Sequence, residues 1–157
     1  MDIIERIESF NFNIGNTIDR PDERQVSLYV GLVLEEVAEL VQAASGMLEM
    51  DDVKSIKELA DRFKKGHQAL ADTEPDLDED ERVDILDAAC DVVITAVGVG
   101  ISLGANVRGA LHEVMRANEK KLEHGRIDEN GKLLKPDNWQ APDLRDYLYD
   151  DYEAEDA

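Results

Sequence analysis

Residues 32–45, LVLEEVAELVQAAS, set three glutamates inside a segment that is otherwise apolar or small. Val33, Val37, Leu40, Val41 and Ala44 recur at spacings of three and four, the period of a helix. At about 100° per residue, Glu35, Glu39 and Glu36 fall at roughly 0°, 40° and 100° around that helix, a single stripe of like charge. Such a stripe is usually a solvated face. Here, however, Leu28, Leu32 and Ala43 lie on the same side, while the valines and Leu40 occupy the opposite one. Both sides read as buried.

Residues 84–100, DILDAACDVVITAVGVG, repeat the pattern. Asp87, Asp91 and Asp84 share one side, which Val83, Ile94, Gly98 and Ile101 extend. Ile85, Ala88, Ala89, Val92 and Ala96 cover much of the rest. Burying unpaired carboxylates costs several kcal/mol each, so they must be protonated, paired with bases or bound to cations. Neither helix offers a Lys or Arg beside them. Oxygen ligands without His or Cys favour a hard cation, Mg²⁺ or Mn²⁺, over zinc. Three readings stay open for the two stripes: a divalent-metal site, solvated faces, or burial at an oligomer interface.

The 157 residues suit one domain with a real core. Asp and Glu number 37 against 17 Lys and Arg, a net charge of −20. That charge argues against nonspecific binding to nucleic acid or anionic membrane, so no partner of either kind is expected. A phosphate ligand must arrive through metal ions or a local basic patch. The single cysteine, Cys90, reads as a buried free thiol in a reducing, cytoplasmic setting. The N-terminus carries no signal-peptide pattern. The apolar run VVITAVGVGISLGA falls short of the ~20 residues of a membrane helix.

Helices are expected over about 2–12, 21–45, 51–71, 80–102 and 107–123, the second opening at Pro21 and stopping near Gly46. DTEPDLDEDER reads as a loop leading into the fourth helix. Beyond Gly125 the chain reads as irregular, and 146–157 as an acidic tail. No repeat and no strand is expected. The economical fold is an all-α bundle.

PDERQVSLYVGLVLEEVAEL followed by ILDAACDVVITAVGVGISLG resembles the all-α nucleoside triphosphate pyrophosphohydrolases, the MazG-like superfamily. Its marks are E-x-x-E on one helix, here Glu36-x-x-Glu39, and an acidic pair ending in Asp on another, here Asp87 and Asp91. The nearest likeness is to the phosphoribosyl-ATP-pyrophosphohydrolase-like group. HEVMRANEKKL matches that group's segment at Glu113, Val114, Arg116, Asn118, Lys121 and Leu122. NGKLLKPDNWQAPDL matches at Gly131, Lys132, Lys135, Pro142, Asp143 and Leu144. The chain departs from the pattern at Ala88, where many members carry Glu, at Met115 in place of a histidine, and at Ala117 and Lys120 in place of serines. Residues 49–80 are longer than the usual connection and read as an insertion in a domain spanning 1–145.

The resemblance implies an all-α bundle completed by dimerisation, either a homodimer or a homotetramer. It implies hydrolysis of a nucleoside triphosphate between its α and β phosphates, yielding the monophosphate and pyrophosphate. Glu36, Glu39, Asp87 and Asp91 are the expected Mg²⁺ ligands. Glu35 is a further ligand or the base that orients the water, and Asp84 is an outer acid. Residues 108–135 carry seven Lys or Arg against five Asp or Glu. There Asn118, Lys121, Arg116 and Lys120 are expected to grip the substrate, with Lys121 against the departing phosphates. Trp139 with Pro142 reads as a packing anchor or a base-stacking ring, and Phe10, Asn11 and Asn13 as candidates for base recognition. A reading from another class is an acidic interaction protein that imitates a polyanion and occupies a partner's basic surface.

Overall fold

The computed structural model describes residues 2–18, 22–44, 50–69, 77–128 and 133–148. These form two compact units. One comprises Met1–Ile14, Leu77–Arg126 and Leu134–Ala157, and the other Gly15–Asp76 and Ile127–Leu133. The described elements are helical apart from one short strand pair, so the all-α expectation holds.

The unit containing Gly15–Asp76 is an antiparallel hairpin of α2 (Glu23–Ala44) and α3 (Met50–Ala69). Asp22 starts α2 by accepting from the Gln25 backbone N–H at 3.1 Å. The preceding loop is pinned to the first turns by Thr17 and Gln25, each accepting from the other at 2.8 Å. The Asn16 amide donates to the Tyr29 hydroxyl at 2.7 Å. Among the described residues, Leu28 and Ala38 on α2, with Val53 and Ala60 on α3, are the buried hydrophobic residues of the hairpin. Gly31 is where the helices touch, since a Cβ there would lie 2.7 Å from Lys64 Cγ and 2.9 Å from the Ala60 carbonyl. Ser27 Oγ donates to the Phe63 carbonyl at 2.7 Å and fixes the register. The stretch read as an insertion thus supplies the helix that packs along α2. The expected start at Pro21 and stop at Gly46 lie outside the described residues.

The other unit holds α1 (Ile3–Asn13), α4 (Glu79–Ser102), α5 (Val107–Glu119) and α6 (Lys121–His124). Capping boxes open two of these, Asp2 with Glu5 on α1 and Asp78 with Glu81 on α4. The acidic run before α4 therefore ends in a helix-starting signal. α1 docks on α5 through Arg6, whose guanidinium donates to both Glu119 oxygens, at 3.0 and 2.7 Å, and lies 2.8 Å from His112 Nδ1. Gly104, at φ +66°, turns the chain between α4 and α5. Asn106 caps α5, and its backbone N–H donates to the Tyr147 carbonyl at 2.7 Å. The expected single helix over 107–123 is two, breaking at Lys120. Strands β1 (Arg126–Ile127) and β2 (Leu133–Leu134) pair. Two residues each are too few for a strand period to register in the sequence.

The longest helix is the least covered. Val83, Leu86, Val93, Ile94 and Ile101 on α4 are each 58–65% exposed, and no residue of α4 is buried. Cys90 is likewise exposed, correcting the expectation of a buried thiol. By length and composition alone α4 could cross a membrane. The apolar run taken as too short is extended toward the N-terminus by Ile85, Leu86 and the alanines between Asp87 and Asp91. Only Met115 and Ala117 among the described residues of this unit are buried hydrophobics.

Candidate active site

On α2 the three glutamates part company. Glu36 and Glu39 are exposed, and among the described residues neither forms an ion pair. Val33 and Leu40 are also exposed, at 40% and 42%. The expectation of two covered sides is met only where α3 packs, because one partner helix covers a limited arc of a helix. Glu35 is half-buried and stands 3.4 Å from Lys64 Nζ. Lys64 also pairs with Asp61 at 3.0 Å. Burial pushes the Lys64 ammonium down, but Asp61 and Glu35 outweigh it and its pKa is raised. The Lys64 bond holds the Asp61 carboxyl below the usual range. α3 thus delivers a base to the glutamate stripe of α2. Lys64 escaped the sequence reading because it lies in the stretch read as an insertion.

On α4, Asp84, Asp87 and Asp91 are exposed and, among the described residues, form no ion pair. Around them stand the exposed Val83, Leu86 and Ile94. Glu36 and Glu39 therefore belong to one unit, and Asp87 and Asp91 to the other. Among the described residues, no group of three His, Cys, Asp or Glu side chains stands ready to hold a metal ion.

The basic segment is organised around α5 and α6. Lys121 Nζ donates to Asn118 Oδ1 at 2.6 Å, so this expected pair is brought together. Arg116 is instead engaged by Glu113, with Nε donating at 2.7 Å and a second bond from Nη2. Arg116 holds the Glu113 carboxyl below its ordinary range. Spaced three apart on α5, the two form an ion pair along one face of the helix. Lys120 sits at the break between α5 and α6.

Trp139 is half-buried beside this pair, and its indole N–H donates to the Ala117 carbonyl at 2.8 Å. Lys121 Nζ lies 5.2 Å from the indole centroid and Lys135 Nζ 4.4 Å. Sequence reading left Trp139 as a packing anchor or a base-stacking ring and did not join Lys135 to it. The ring draws the two lysines together from positions 14 residues apart, a distance no local period reveals. A cleft of about 470 Å³ adjoins, lined by Arg126, Lys135, Asp137 and Asn138 among others. A second, of about 180 Å³, is lined by Lys120, Glu123, Trp139 and Gln140 with Pro136 and Asn138.

At the N-terminus, the Asn11 and Asn13 amides turn back onto the Ile7 and Ser9 carbonyls, at 2.9 and 2.8 Å. Each thus donates to the backbone of α1. Comparison of the chain with protein-family models, with curated proteins and with solved structures finds no match.

Proposed function

We propose that the protein is a Mg²⁺-dependent nucleoside triphosphate pyrophosphohydrolase that works in the cytoplasm as a homodimer or homotetramer. The observation that carries this reading is α4, an apolar and uncovered helix bearing Asp84, Asp87 and Asp91 without ion pairs among the described residues. A solvated face does not expose Val83, Leu86, Ile94 and Ile101 together. Self-association that covers those residues also draws the carboxylates out of water, and enclosed carboxylates call for cations. A bilayer is a poorer cover, because Asp87 and Asp91 within the apolar stretch cost about 2.5–3.5 kcal/mol each on insertion scales.

The donor chemistry fits magnesium. Glu36, Glu39, Asp87 and Asp91 offer hard oxygen atoms that among the described residues are not committed to bases. Bound there, Mg²⁺ supplies charge neutralisation of the triphosphate and a lowered pKa for a coordinated water. Glu35, 3.4 Å from Lys64 Nζ, orients the water that attacks the α-phosphorus. Lys121, steadied by Asn118, stabilises the charge developing on the departing pyrophosphate. The order of the acidic and basic motifs along the chain, which resembles the MazG-like superfamily, supports the same assignment.

A second reading draws on the exposure of Glu36 and Glu39, since a polyanion mimic needs its carboxylates outward. The large apolar side chains among the aspartates of α4 weigh against it, as a mimic gains nothing from them. Assay of pyrophosphate release from a panel of ribo- and deoxynucleoside triphosphates, with Mg²⁺ or with chelator, separates the two. Magnesium-dependent release that Glu39→Gln abolishes supports the enzyme. Absence of release across the panel supports the mimic.

A further inference from the structure

We propose that α4 pairs antiparallel with α4 of a second copy of this chain, about a two-fold axis at Cys90. The pairing rests on the proposed function for the fact of self-association. It deepens that reading by fixing which residues meet and in what register.

The outward stripe of α4 reads the same in both directions. With Cys90 as centre, Leu86 and Ile94 stand four residues to either side, and Val83 and Val97 seven. At about 100° per residue, all five fall within about 40° of one line along the helix. Val83, Leu86, Cys90 and Ile94 are exposed and Val97 is half-buried. Cys90 is also the middle of Glu79–Ser102, 11 residues from one end and 12 from the other. A two-fold axis across the helix sets residue i on j and j on i, so a stripe symmetric about its middle covers itself when the second helix runs the other way. Leu86 then packs on Ile94 of the partner subunit, Val83 on Val97 of the partner subunit, and Cys90 on Cys90 of the partner subunit. Contact with a different protein calls for no such symmetry.

Charge selects this direction over the parallel one. Every acid of α4 lies between Glu79 and Asp91, and residues 92–102 carry no charge. Parallel pairing would set each acid against its own copy and align the two helix dipoles. Antiparallel pairing lays the acidic turns along the partner's uncharged end and opposes the dipoles. Asp87 and Asp91 fall about 60° and 100° from the stripe, both on the same side, so they stand along one edge of the interface. There Asp91 of the partner subunit comes level with Ala89, two residues or about 3 Å along the axis from Asp87. The aspartates assigned above to magnesium are thus drawn from both copies, and that half of the site is incomplete in a single chain.

The single cysteine makes the register measurable. The full chain at micromolar concentration is oxidised with diamide, and disulfide-linked dimer is measured on denaturing gels, with sedimentation of the same samples before oxidation. Wild type should link through Cys90. Two further variants carry Cys90→Ser, one with Leu86→Cys and the other with Ile94→Cys. Either variant alone places its two thiols eight residues, about 12 Å, apart along the axis, too far for a disulfide, which needs Cα atoms within about 7 Å. Mixed and allowed to exchange subunits, the two should give several times the linked dimer of either alone. Efficient linking within each variant alone would mean parallel pairing and overturn the proposal. A dimer in which Cys90 does not link would overturn it too, leaving the enzymatic reading in place. The predicted pattern in a protein that hydrolyses no nucleoside triphosphate would keep the pairing and remove the enzymatic reading. A monomer throughout would end both the pairing and the self-association it rests on.

Discussion

Lys64 reaches across Gly31 to within 3.4 Å of the Glu35 carboxylate, beside the Glu36-x-x-Glu39 pair of the same helix. The hairpin core and the acidic stripe are therefore mechanically linked. Packing that brings α3 close enough to bury Ala60 also delivers a cation to one of three glutamates and leaves the other two to solvent.

Gly31→Ala tests that linkage. Its Cβ would meet Lys64 Cγ at 2.7 Å and the Ala60 carbonyl at 2.9 Å, and the carbonyl, being backbone, cannot swing aside. A loss of about 1–3 kcal/mol in unfolding free energy is expected, measured by denaturant titration. Gly15→Ala, at a turn with open space but φ +87°, should be destabilising through backbone strain instead.

The acid limb of stability should carry the mark of Asp61 and Glu113. Both carboxyls are held below their ordinary values, by Lys64 and Arg116 respectively. The unfolded chain then binds protons more readily, so their stabilisation is fully present above the unfolded pKa and fades as pH falls below about 4 through the depressed values. Asp61→Asn should lower the Tm slightly at neutral pH, and the difference from wild type should vanish in acid. A difference that persists unchanged at pH 2–3 would show that the ion pair is not its source.

Self-association should run through α4. Wild-type protein at micromolar concentration should sediment as a dimer or tetramer, and Leu86→Glu with Ile94→Glu should shift it to monomer. These side chains are 64% and 65% exposed in the single chain, so the substitutions cost little unless another surface covers them. Wild-type monomer with full activity would contradict the prediction.

The proposed magnesium ligands should trade stability for activity. Glu39→Gln and Asp91→Asn should abolish turnover while leaving the metal-free Tm equal or higher, since each removes a like charge. Mg²⁺ should raise the wild-type Tm and affect these variants less.

Much of the architecture was legible in the sequence because helical periods are local. The bounds of α1, α3 and α4 fall within two residues of expectation, although residues 79–82, the end of the acidic run read as a loop, already belong to α4. What escaped depends on partners distant along the chain. Lys64 acquires its role only when α3 folds along α2, and Lys135 only when Trp139 is bonded to α5. Arg116 and Glu113 both read as motif residues, and their pairing as ions emerges only in the folded α5. The covering of α4 was misjudged for a related reason. Apolar periodicity says that a face will be buried, but not whether the same chain buries it.

Hydrolysis of a nucleoside triphosphate in ¹⁸O-enriched water, with Mg²⁺ and the products read by mass spectrometry, tests the central claim most directly. Attack at the α-phosphorus predicts one ¹⁸O atom in the nucleoside monophosphate and none in the pyrophosphate. Label in the pyrophosphate, orthophosphate with nucleoside diphosphate as the primary products, or no hydrolysis of any triphosphate offered would contradict it.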